Sequence, residues 1–444
     1  MTRKGKVNKG SNINIITLGC SKNLVDSEVL MQQVHANGLK IIHNGPLSET
    51  GTVIINTCGF INDAKEESID TILNWIRAKE RGEVDQVYVM GCLSERYREE
   101  LQREIGEVDA YFGVHDLNEI VSILGIDYKK ELTGERILAT PKHFAYLKIS
   151  EGCDRTCSFC AIPHIRGTHI SRSMDDLLKE AEFLANGGVR ELILIAQDTS
   201  YYGLDLYRQQ KLTELVSLLS KVEGLDWIRI HYTYPSNFPL DLLSEMASNK
   251  KVCNYIDLPL QHINDTVLRN MRRNTTKAET IKLLETIRKM VPDAAIRTTM
   301  LVGHPGEREP EFQELREFIH EFRFDRLGVF TYSHEEGTHG YAVFKDLIPE
   351  KIKEQRANEI MNMQQNISLA MNREKIGKTF HVLVDTEELD YYVGRTEYDS
   401  PEVDQDVLIP KSHGALDIGQ FYPVRISESS EFDLFGTCLN SAGS

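Results

Sequence analysis

Cysteines and long apolar runs are both scarce in this sequence. Eight cysteines in 444 residues are too few for a densely disulfide-bonded secreted scaffold, so a reducing compartment is expected. Aliphatic runs such as residues 192–196 (LILIA) are far too short to span a bilayer. Residues 1–11 are basic, but no apolar segment follows them, which excludes a secretory signal peptide and predicts a flexible basic tail. We therefore expect a cytoplasmic protein with no membrane attachment.

Basic residues are also in short supply. There are 51 Lys and Arg against 67 Asp and Glu, which gives a formal net charge of −16. Generic binding to a polyanion needs an excess of Lys and Arg to displace counterions, so this balance argues against it. The charge favours a basic partner, or no extended charged partner at all. The apolar fraction of 41% is ordinary for a globular protein, and the length suffices for about three domains.

Three predicted strands in the first third of the chain each end just before a cysteine. Apolar β-rich runs alternate here with helical patterns, which is typical of an open parallel α/β sheet. The predicted strands are Ile13–Leu18, Thr52–Asn56 and Gln86–Met90, and the helices that follow them are Leu24–His35, Asp63–Lys79 and Glu95–Glu104. Cys20, Cys58 and Cys92 lie just beyond the three strands. Ligands bind at that edge of such a sheet, so the three thiols are predicted to share it.

The common position of Cys20, Cys58 and Cys92 predicts a shared metal centre. A single intracellular cysteine is most often a small buried apolar residue, but here that explanation would have to hold three times. Three thiolates without an evident fourth ligand fit an iron–sulfur cluster with one open iron. A redox-sensing trio is the alternative.

A second trio of cysteines lies in the short stretch from Tyr146 to Pro163. Cys153, Cys157 and Cys160 have the spacing Cys-x3-Cys-x2-Cys. Three thiolates leave one iron of a [4Fe–4S] cluster free to bind another molecule, as a catalytic cluster requires. A structural zinc site is the alternative, because His164 would complete a closed Cys3His set. The spacing alone leaves both interpretations open.

From residue 140 onward the alternation of strands and helices restarts with a longer period, which predicts a partial or complete barrel of the TIM type. The predicted strands are Ala145–Ser150, Glu191–Gln197, Trp227–Tyr232, Tyr255–Leu260, Ile296–Val302 and Arg326–Thr331. The predicted helices are Asp175–Asn186, Leu212–Val222, Leu240–Ser248, Lys277–Lys289 and Glu311–Phe322. Active sites of such barrels lie at the C-terminal ends of the strands, and the second cysteine trio directly follows the first strand. This position favours catalysis over a structural zinc site.

Polar residues follow other strands of the predicted barrel at the same face. Gln197 and Asp198 follow the second strand, Gln261 and His262 follow the fourth, and residues 303–307 (GHPGE) follow the fifth. Each of them alone is explained as a solvated loop residue. Together they line the predicted mouth of the barrel, so we expect some of them to contact a cofactor or a substrate.

The C-terminal part of the chain predicts a long helix, Glu350–Arg373, followed by a small antiparallel β-barrel of the OB type. Its five short strands are Thr379–Asp385, Tyr391–Thr396, Asp406–Ile409, Tyr422–Ser427 and Phe432–Leu439. OB-type folds often bind nucleic acid. From Ile376 onward, however, 13 acidic residues stand against 4 basic ones, which disfavours RNA and favours a basic protein. An acidic surface without any partner is the simpler alternative.

The motif Cys153-x3-Cys157-x2-Cys160, with Phe159 directly before the third cysteine, resembles that of the radical S-adenosylmethionine enzymes. In that family the open iron of the cluster binds S-adenosylmethionine, and an electron from the cluster cleaves it to a 5′-deoxyadenosyl radical. The resemblance implies that Phe159 lies near the adenine and that His164 is not a ligand. It also makes Gln197 and Gln261 candidate contacts of S-adenosylmethionine.

The position of Cys20, Cys58 and Cys92 ahead of such a barrel resembles the methylthiotransferases, in which the N-terminal cysteines hold an auxiliary [4Fe–4S] cluster and a TRAM domain ends the chain. The resemblance covers essentially all of the chain after the tail and implies three domains, at residues 12–130, 140–374 and 375–444. Three stretches resemble the branch that modifies ribosomal protein S12: residues 149–163 (ISEGCDRTCSFCAIP), 332–338 (YSHEEGT) and 394–404 (GRTEYDSPEVD).

This resemblance implies methylthiolation of the β-carbon of an aspartate in S12, with S-adenosylmethionine and two [4Fe–4S] clusters as cofactors. It implies S12 as a partner, contacted through the acidic TRAM domain, and an electron donor such as a flavodoxin or ferredoxin. Methylthiolation of an adenosine in transfer RNA is the alternative activity. A non-catalytic iron–sulfur electron carrier or a ribosome-binding factor is the alternative from another class.

Overall fold

The computed structural model describes residues 12–439, except for the side chain of His413. The predicted basic tail and the last five residues of the predicted TRAM domain lie outside the described residues. The chain forms two compact units. Of the described residues, the first comprises 12–140, 146–155 and 160–183, and the second comprises 141–145, 156–159 and 184–439.

The first unit is built on a five-stranded parallel sheet with the strand order β2-β1-β3-β4-β5. Its elements are β1 (Ile13–Thr17), α1 (Ser21–Ala36), β2 (Ile41–His43), β3 (Thr52–Thr57), α2 (Asn62–Glu80), β4 (Gln86–Gly91), α3 (Cys92–Glu104), β5 (Ala110–Tyr111) and α4 (Leu117–Ile123). The open parallel α/β sheet predicted from the sequence is confirmed. The short edge strands β2 and β5 were not predicted, because two or three residues carry no detectable period.

Both faces of this sheet are covered, so its central strands are continuous apolar runs. Residues of β3 and β4 alternate between two cores, as the pleat of a strand requires. One core joins Val53, Ile55, Val87 and Val89 to Ile72 and Ile76 of α2. The other joins Ile13, Ile15, Ile54 and Tyr88 to Leu30 and Val34 of α1.

The chain then enters the segment that carries the second cysteine trio. Its elements are β6 (Phe144–Lys148), β7 (Ser150–Glu151), α5 (Ile162–Arg166), β8 (Ile170–Ser171) and α6 (Met174–Asn186). β7 and β8 form a short antiparallel pair in the first unit, with Ser150 opposite Ser171. β6 begins in the second unit and ends in the first.

The second unit contains the remaining barrel strands and their helices. They are β9 (Glu191–Ile195), α7 (Leu212–Leu219), β10 (Trp227–Ile230), α8 (Asp241–Ser248), β11 (Tyr255–Asp257), α9 (Asp265–Asn270), α10 (Lys277–Met290), β12 (Ala295–Val302), α11 (Glu309–Phe322), β13 (Arg326–Thr331) and α12 (His339–Val343). The strands form two three-stranded sheets, β10-β9-β6 and β11-β12-β13. The pairs β9–β10, β11–β12 and β12–β13 are parallel, as a partial barrel of the TIM type requires.

The second unit ends in a long helix and a closed barrel. These elements are α13 (Glu350–Arg373), β14 (Thr379–Glu387), β15 (Tyr391–Arg395), β16 (Val407–Pro410), β17 (Phe421–Ser429) and β18 (Leu434–Cys438). The barrel closes in the order β14-β15-β16-β18-β17. Four neighbouring pairs are antiparallel, as predicted, but β16 and β18 run parallel. An odd number of strands cannot alternate in direction all the way around a closed barrel, so one parallel pair is unavoidable.

Even the longest helices between residues 12 and 439 are too polar to cross a bilayer, and the more apolar helices are too short.

Candidate functional site

Cys20, Cys58 and Cys92 lie at the C-terminal edge of three adjacent strands, β1, β3 and β4. Cys20 immediately precedes α1, Cys58 follows β3, and Cys92 is the first residue of α3. The backbone beside these cysteines passes so close to neighbouring atoms that Gly19 and Gly59 leave no space for a Cβ atom. A Cβ atom on Gly19, whose φ is +88°, would lie 3.0 Å from Cys58 Sγ. A Cβ atom on Gly59 would lie 3.0 Å from the carbonyl carbon of Cys92.

Burial keeps two of these thiols protonated. It raises the pKa of Cys92 to about 12 and also raises the pKa of Cys58. A thiol must lose its proton to become a metal ligand, so this edge needs nearby positive charge before the thiolates form. The nearby Asn23 amide is fixed, because Nδ2 donates to the carbonyl oxygens of Leu18 (2.9 Å) and Thr57 (3.0 Å). Asn23 Oδ1 lies 3.6 Å from Cys92 Sγ.

Arg166, at the end of α5, brings positive charge to the same place. Its Nη2 donates to Asn23 Oδ1 at 2.5 Å, and its Nη1 donates to Asp26 and Glu151, each at 3.0 Å. Lys148 contacts the same two carboxylates, so two cations share two anions. Although burial opposes it, the charges of Asp26 and Glu151 raise the pKa of Arg166. The guanidinium therefore stays charged beside the Cys92 thiol.

The second trio is divided between the two units, with Cys153 and Cys160 in the first and Cys157 in the second. In the first unit, the loop turns at Gly152, where a Cβ atom would lie only 2.0 Å from the carbonyl oxygen of Thr168. The amide of Cys153 donates to the carbonyl of Gly167 at 3.1 Å. These contacts fix the loop to the segment between α5 and β8.

The residues after Cys160 pack against the first trio. Ala161 and Ile165 are buried in one small cluster with Cys92, and Val114 packs at its side. α5 therefore joins the end of the second cysteine motif to the edge that carries Cys20, Cys58 and Cys92.

In the second unit, Cys157 lies beside two residues that sequence reasoning missed. Its Sγ is 3.6 Å from Arg273 Nη1 and 3.8 Å from Tyr234 Oη. The Arg273 guanidinium stacks on the Tyr234 ring, 4.1 Å from its centroid. Neither residue follows a recognisable motif, and Arg273 is more than a hundred residues from Cys157, so no local signal identified them.

Phe159, the predicted adenine neighbour, is half-buried against an apolar cluster of Val267, Met271, Leu301 and Tyr332. Its ring centroid is 6.4 Å from that of His304 in an edge-to-face arrangement. The side chain is thus held by packing, and its contact with S-adenosylmethionine stays a prediction.

The polar residues of the predicted mouth divide into two groups. His262, His304 and Glu307 are buried and engaged within the protein: His262 Nδ1 accepts a hydrogen bond from the Asn264 backbone amide at 3.0 Å, His304 Nε2 lies 3.0 Å from Ser158 Oγ, and Glu307 Oε1 accepts from Arg356 at 2.7 Å. Burial lowers the pKa of His304 to about 4, so it is neutral at pH 7.

Gln197 and Gln261 are only half-buried, and they lie two residues beyond β9 and four residues beyond β11. Gln261 has a φ of +73°, and its backbone is fixed by hydrogen bonds to Thr299 and Leu301 of β12. The left-handed conformation sets the direction of its side chain. Both glutamines remain candidate cofactor contacts.

The donor set fits iron–sulfur clusters. No three Cys, His, Asp or Glu side chains between residues 12 and 439 converge as the ligands of a single metal ion do. The three residues that the sequence predicts as ligands at each candidate site are all cysteines, whose thiolates are the usual ligands of [4Fe–4S] clusters. Each site also has a buried guanidinium close to one thiol, Arg166 near Cys92 and Arg273 near Cys157. Such cations suit a group that carries net negative charge.

Three family profiles match the chain in succession. They are described as "Uncharacterized protein family UPF0004" at residues 12–113, "Radical SAM superfamily" at residues 147–319 and "TRAM domain" at residues 376–439. The matches follow the order of the five-stranded sheet, the partial barrel and the closed barrel.

Similar proteins share the full length of the chain. A protein of Christiangramia forsetii named "Ribosomal protein uS12 methylthiotransferase RimO" is 55% identical, with 97% of this chain and 95% of the relative covered. Proteins of the same name are 54% identical in Flavobacterium johnsoniae (96% and 98% covered) and 53% identical in Cytophaga hutchinsonii (98% and 99% covered).

Solved structures share the fold at low identity. The radical S-adenosylmethionine methyltransferase TsrM of Kitasatospora setae matches with a TM-score of 0.54 and 13% identity, over 72% of this chain and 73% of that one. The cobalamin-dependent S-adenosylmethionine radical enzyme OxsB matches with a TM-score of 0.51 and 12% identity, over 78% and 56%.

Proposed function

Because the chain belongs to the family of ribosomal protein uS12 methylthiotransferases, we propose that it replaces a hydrogen on the β-carbon of an aspartate in uS12 with a methylthio group. The cofactors are S-adenosylmethionine and two [4Fe–4S] clusters. One observation carries the proposal. The fold brings Cys20, Cys58 and Cys92 from distant parts of the sequence to one edge of one sheet. This chain also carries the Cys153 trio and is 55% identical to a named uS12 methylthiotransferase.

The two cysteine trios would hold one cluster each. When bound, the clusters and S-adenosylmethionine would supply the reducing electron, the radical and the methylthio sulfur. Cys153, Cys157 and Cys160 would hold the cluster that cleaves S-adenosylmethionine. Cys20 and its two partners position the auxiliary cluster.

The neighbouring residues orient and shield the site. Phe159 packs on an apolar cluster, which supports its role as a wall beside the adenine. The segment around it is fixed because the Ser158 amide donates to the carbonyl of Met271 at 2.9 Å and its carbonyl accepts from the Gly340 amide at 2.6 Å. Gln197 and Gln261, in the segments that follow β9 and β11, are the proposed polar contacts of S-adenosylmethionine.

An acidic surface on the closed barrel is the proposed docking site for uS12. Among the described residues from Ile376 onward, the exposed acidic residues are Glu387, Glu388, Asp390, Glu402, Asp417 and Glu428. The exposed basic residues of the same segment are Lys378 and Arg425. This excess attracts a basic protein and repels the phosphates of RNA. We further propose that the reaction takes place in the cytoplasm and that a flavodoxin or ferredoxin is the electron donor.

Cysteine variants of the reconstituted enzyme test the assignment. With S-adenosylmethionine, a reductant and uS12 under anaerobic conditions, Cys153→Ala should abolish formation of 5′-deoxyadenosine. Replacing Cys20, Cys58 and Cys92 together by Ala should preserve cleavage of S-adenosylmethionine and stop methylthio transfer. Persistent 5′-deoxyadenosine in the first variant, or normal transfer in the second, would refute the corresponding role.

Methylthiolation of transfer RNA is the second candidate function. The OB-like closed barrel is the observation in its favour, because such barrels often bind nucleic acid. Binding of RNA would then weaken steeply as salt is raised. Parallel assays with uS12 and with unmodified transfer RNA distinguish the two substrates.

A further inference from the structure

Arg273 is a buried cation without a carboxylate partner. Only 4% of the surface of Arg273 is exposed. Among the residues that the structure describes, no Asp or Glu oxygen lies within 4.0 Å of its guanidinium nitrogens. The charge of Asp198 reaches it from further away, but Asp198 Oδ1 already accepts a hydrogen bond from Ser200 at 2.5 Å.

The contacts of the guanidinium hold it in place without neutralising it. Nη2 donates to the carbonyl oxygen of Pro259, and the plane stacks on the ring of Tyr234. Tyr234 Oη in turn donates to the carbonyl oxygen of Arg273 at 2.7 Å, so the two side chains form a fixed unit. Nη1 points to Cys157 Sγ at 3.6 Å, while Nε is buried and without a partner.

An uncompensated charge in this position is unfavourable. Transfer of a charged group from water to the protein interior has a large free-energy penalty unless an anion faces it. Arginine cannot escape the penalty by losing its proton. Two groups in contact can become anions, and the Cys157 thiol ionises more readily than the Tyr234 phenol, whose proton is held in the hydrogen bond to the Arg273 carbonyl oxygen. The direction of the Arg273 pKa agrees with this. Burial alone would lower it, but nearby negative charge, first that of Cys157, raises it above its usual value.

We propose that Arg273 is a positioning residue that compensates the negative charge at Cys157 and thereby makes the radical cluster easier to reduce. This inference rests on the proposed function, in which Cys157 is a cluster ligand. A low-potential one-electron donor protein, such as a flavodoxin or ferredoxin, loses one electron, and the cluster gains it. The site becomes more negative by one charge, so a fixed cation within contact distance of a ligand sulfur stabilises the reduced state more than the oxidised one.

The test measures the midpoint potential of this cluster alone. The full chain carrying Cys20→Ala, Cys58→Ala and Cys92→Ala serves as the parent, because it retains only the Cys153 trio. Arg273→Gln should shift the midpoint potential, measured by electron paramagnetic resonance during redox titration, to a more negative value. It should also lose iron to a chelator several-fold faster. Arg273→Lys keeps the charge without the planar fork, so its potential should lie between the two.

Arg356→Gln is the matched control for loss of a buried arginine. Arg356 is buried in the same unit and donates to Glu307 Oε1 at 2.7 Å, and it contacts no cysteine among the residues that the structure describes. This variant should lower stability and leave the midpoint potential unchanged. The inference is overturned if Arg273→Gln has the potential of the parent, or if both variants shift it equally. A parent without an iron–sulfur signal, by contrast, would overturn the proposed ligand role of the Cys153 trio itself.

Discussion

Arg395 Nη2 donates to Glu191 Oε2 at 2.7 Å, and both side chains are completely buried. Glu191 is the first residue of β9 and Arg395 is the last residue of β15, so this ion pair joins the partial barrel to the closed barrel. Arg229 Nε donates to the other oxygen of Glu191 at 2.7 Å. Burial would favour a neutral carboxyl, but the charges of Arg395 and Arg229 lower the pKa of Glu191. Glu191 is therefore ionised and fully paired.

Loss of Arg395 should destabilise the second unit strongly. Arg395→Met leaves Glu191 with one partner and deprives Asp385 of its contacts at 2.5 and 2.9 Å. Removing one member of a buried ion pair costs about 3–5 kcal/mol, and urea titration at pH 7 measures it. Lys411→Met is the control, because Lys411 faces the exposed Glu387 at 3.1 Å and should cost less than about 1 kcal/mol. Equal losses in the two variants would contradict the structural role of Arg395.

The acidic charge of the closed barrel divides into buried and exposed groups. Asp385, Asp399 and Asp404 are engaged with Arg395, Arg326 and Arg297 within the second unit. Their charges belong to the fold, so the sequence count from Ile376 onward overstated the charge available to a partner. The exposed acidic residues carry the docking proposal.

Charge reversal at the exposed end of β14 and in the turn that follows it should weaken binding of uS12. Three exposed interactions of about 0.5 kcal/mol each predict that Glu387→Lys, Glu388→Lys and Asp390→Lys together raise KM about tenfold and leave kcat unchanged. Reversal of Glu99, Glu100 and Glu104 on α3 changes the net charge equally and should leave KM unchanged. If both triple variants raise KM alike, the effect is one of net charge, and the docking surface is not on this turn.

Asp406 predicts a pH dependence of stability. Burial, followed by the nearby charge of Asp433, raises its pKa from 3.8 to about 6. The folded protein then binds a proton more tightly than the unfolded chain, so this residue lowers stability as the pH rises from about 4 to about 6. Asp406→Asn removes the penalty. Because the group is partly solvated, the free energy of unfolding should rise by only about 1 kcal/mol at pH 7, with no gain below pH 4.

Urea titrations of Asp406→Asn and the parent at several pH values measure this difference in the free energy of unfolding. The other carboxylates titrate in both proteins, so their contributions cancel in the difference. Asp417→Asn removes the same charge from an exposed position and serves as the control. A gain for Asp406→Asn that is independent of pH would exclude titration of Asp406 as its cause.

Gly19→Ala should weaken the auxiliary cluster specifically. The new Cβ would lie 2.7 Å from Cys58 Cβ and 3.0 Å from Cys58 Sγ, so the thiol must move. Gly38→Ala is a matched control, since Gly38 also has a positive φ, +79°, but nothing lies within 4 Å of its added Cβ. Both variants should lose about 1 kcal/mol through backbone strain, and only Gly19→Ala should lose iron from the Cys20 site. Iron analysis in a chain that lacks the Cys153 trio measures this, and equal iron retention would contradict the account.

Local sequence patterns identified the strands and their cysteines, but not the charges around them. Strands β1, β3 and β4 carry continuous apolar runs, and Cys20, Cys58 and Cys92 follow them directly, so both the sheet and the shared edge were predictable. Arg166 and Arg273 were not. Their roles depend on contacts with Asn23 and Cys157 across more than a hundred residues of chain, which no local period records.

The ion-pair partners of the buried carboxylates could not be predicted from the sequence either. Asp399 and Asp404 lie in a polar stretch that is typical of an exposed loop, but the tertiary fold brings Arg326 and Arg297 to them. A count of charges along the sequence cannot separate such internal ion pairs from a binding surface.

Mass spectrometry of uS12 and of transfer RNA, from cells with and without this protein, tests the central claim most directly. The account predicts that uS12 from cells lacking the protein carries hydrogen in place of one methylthio group at an aspartate and is lighter by that difference. The methylthiolated adenosine of transfer RNA should be unchanged. Re-expression of the intact chain should restore the modification, and the Cys153→Ala variant should not. Unchanged uS12 together with loss of the methylthio group from transfer RNA would contradict the account.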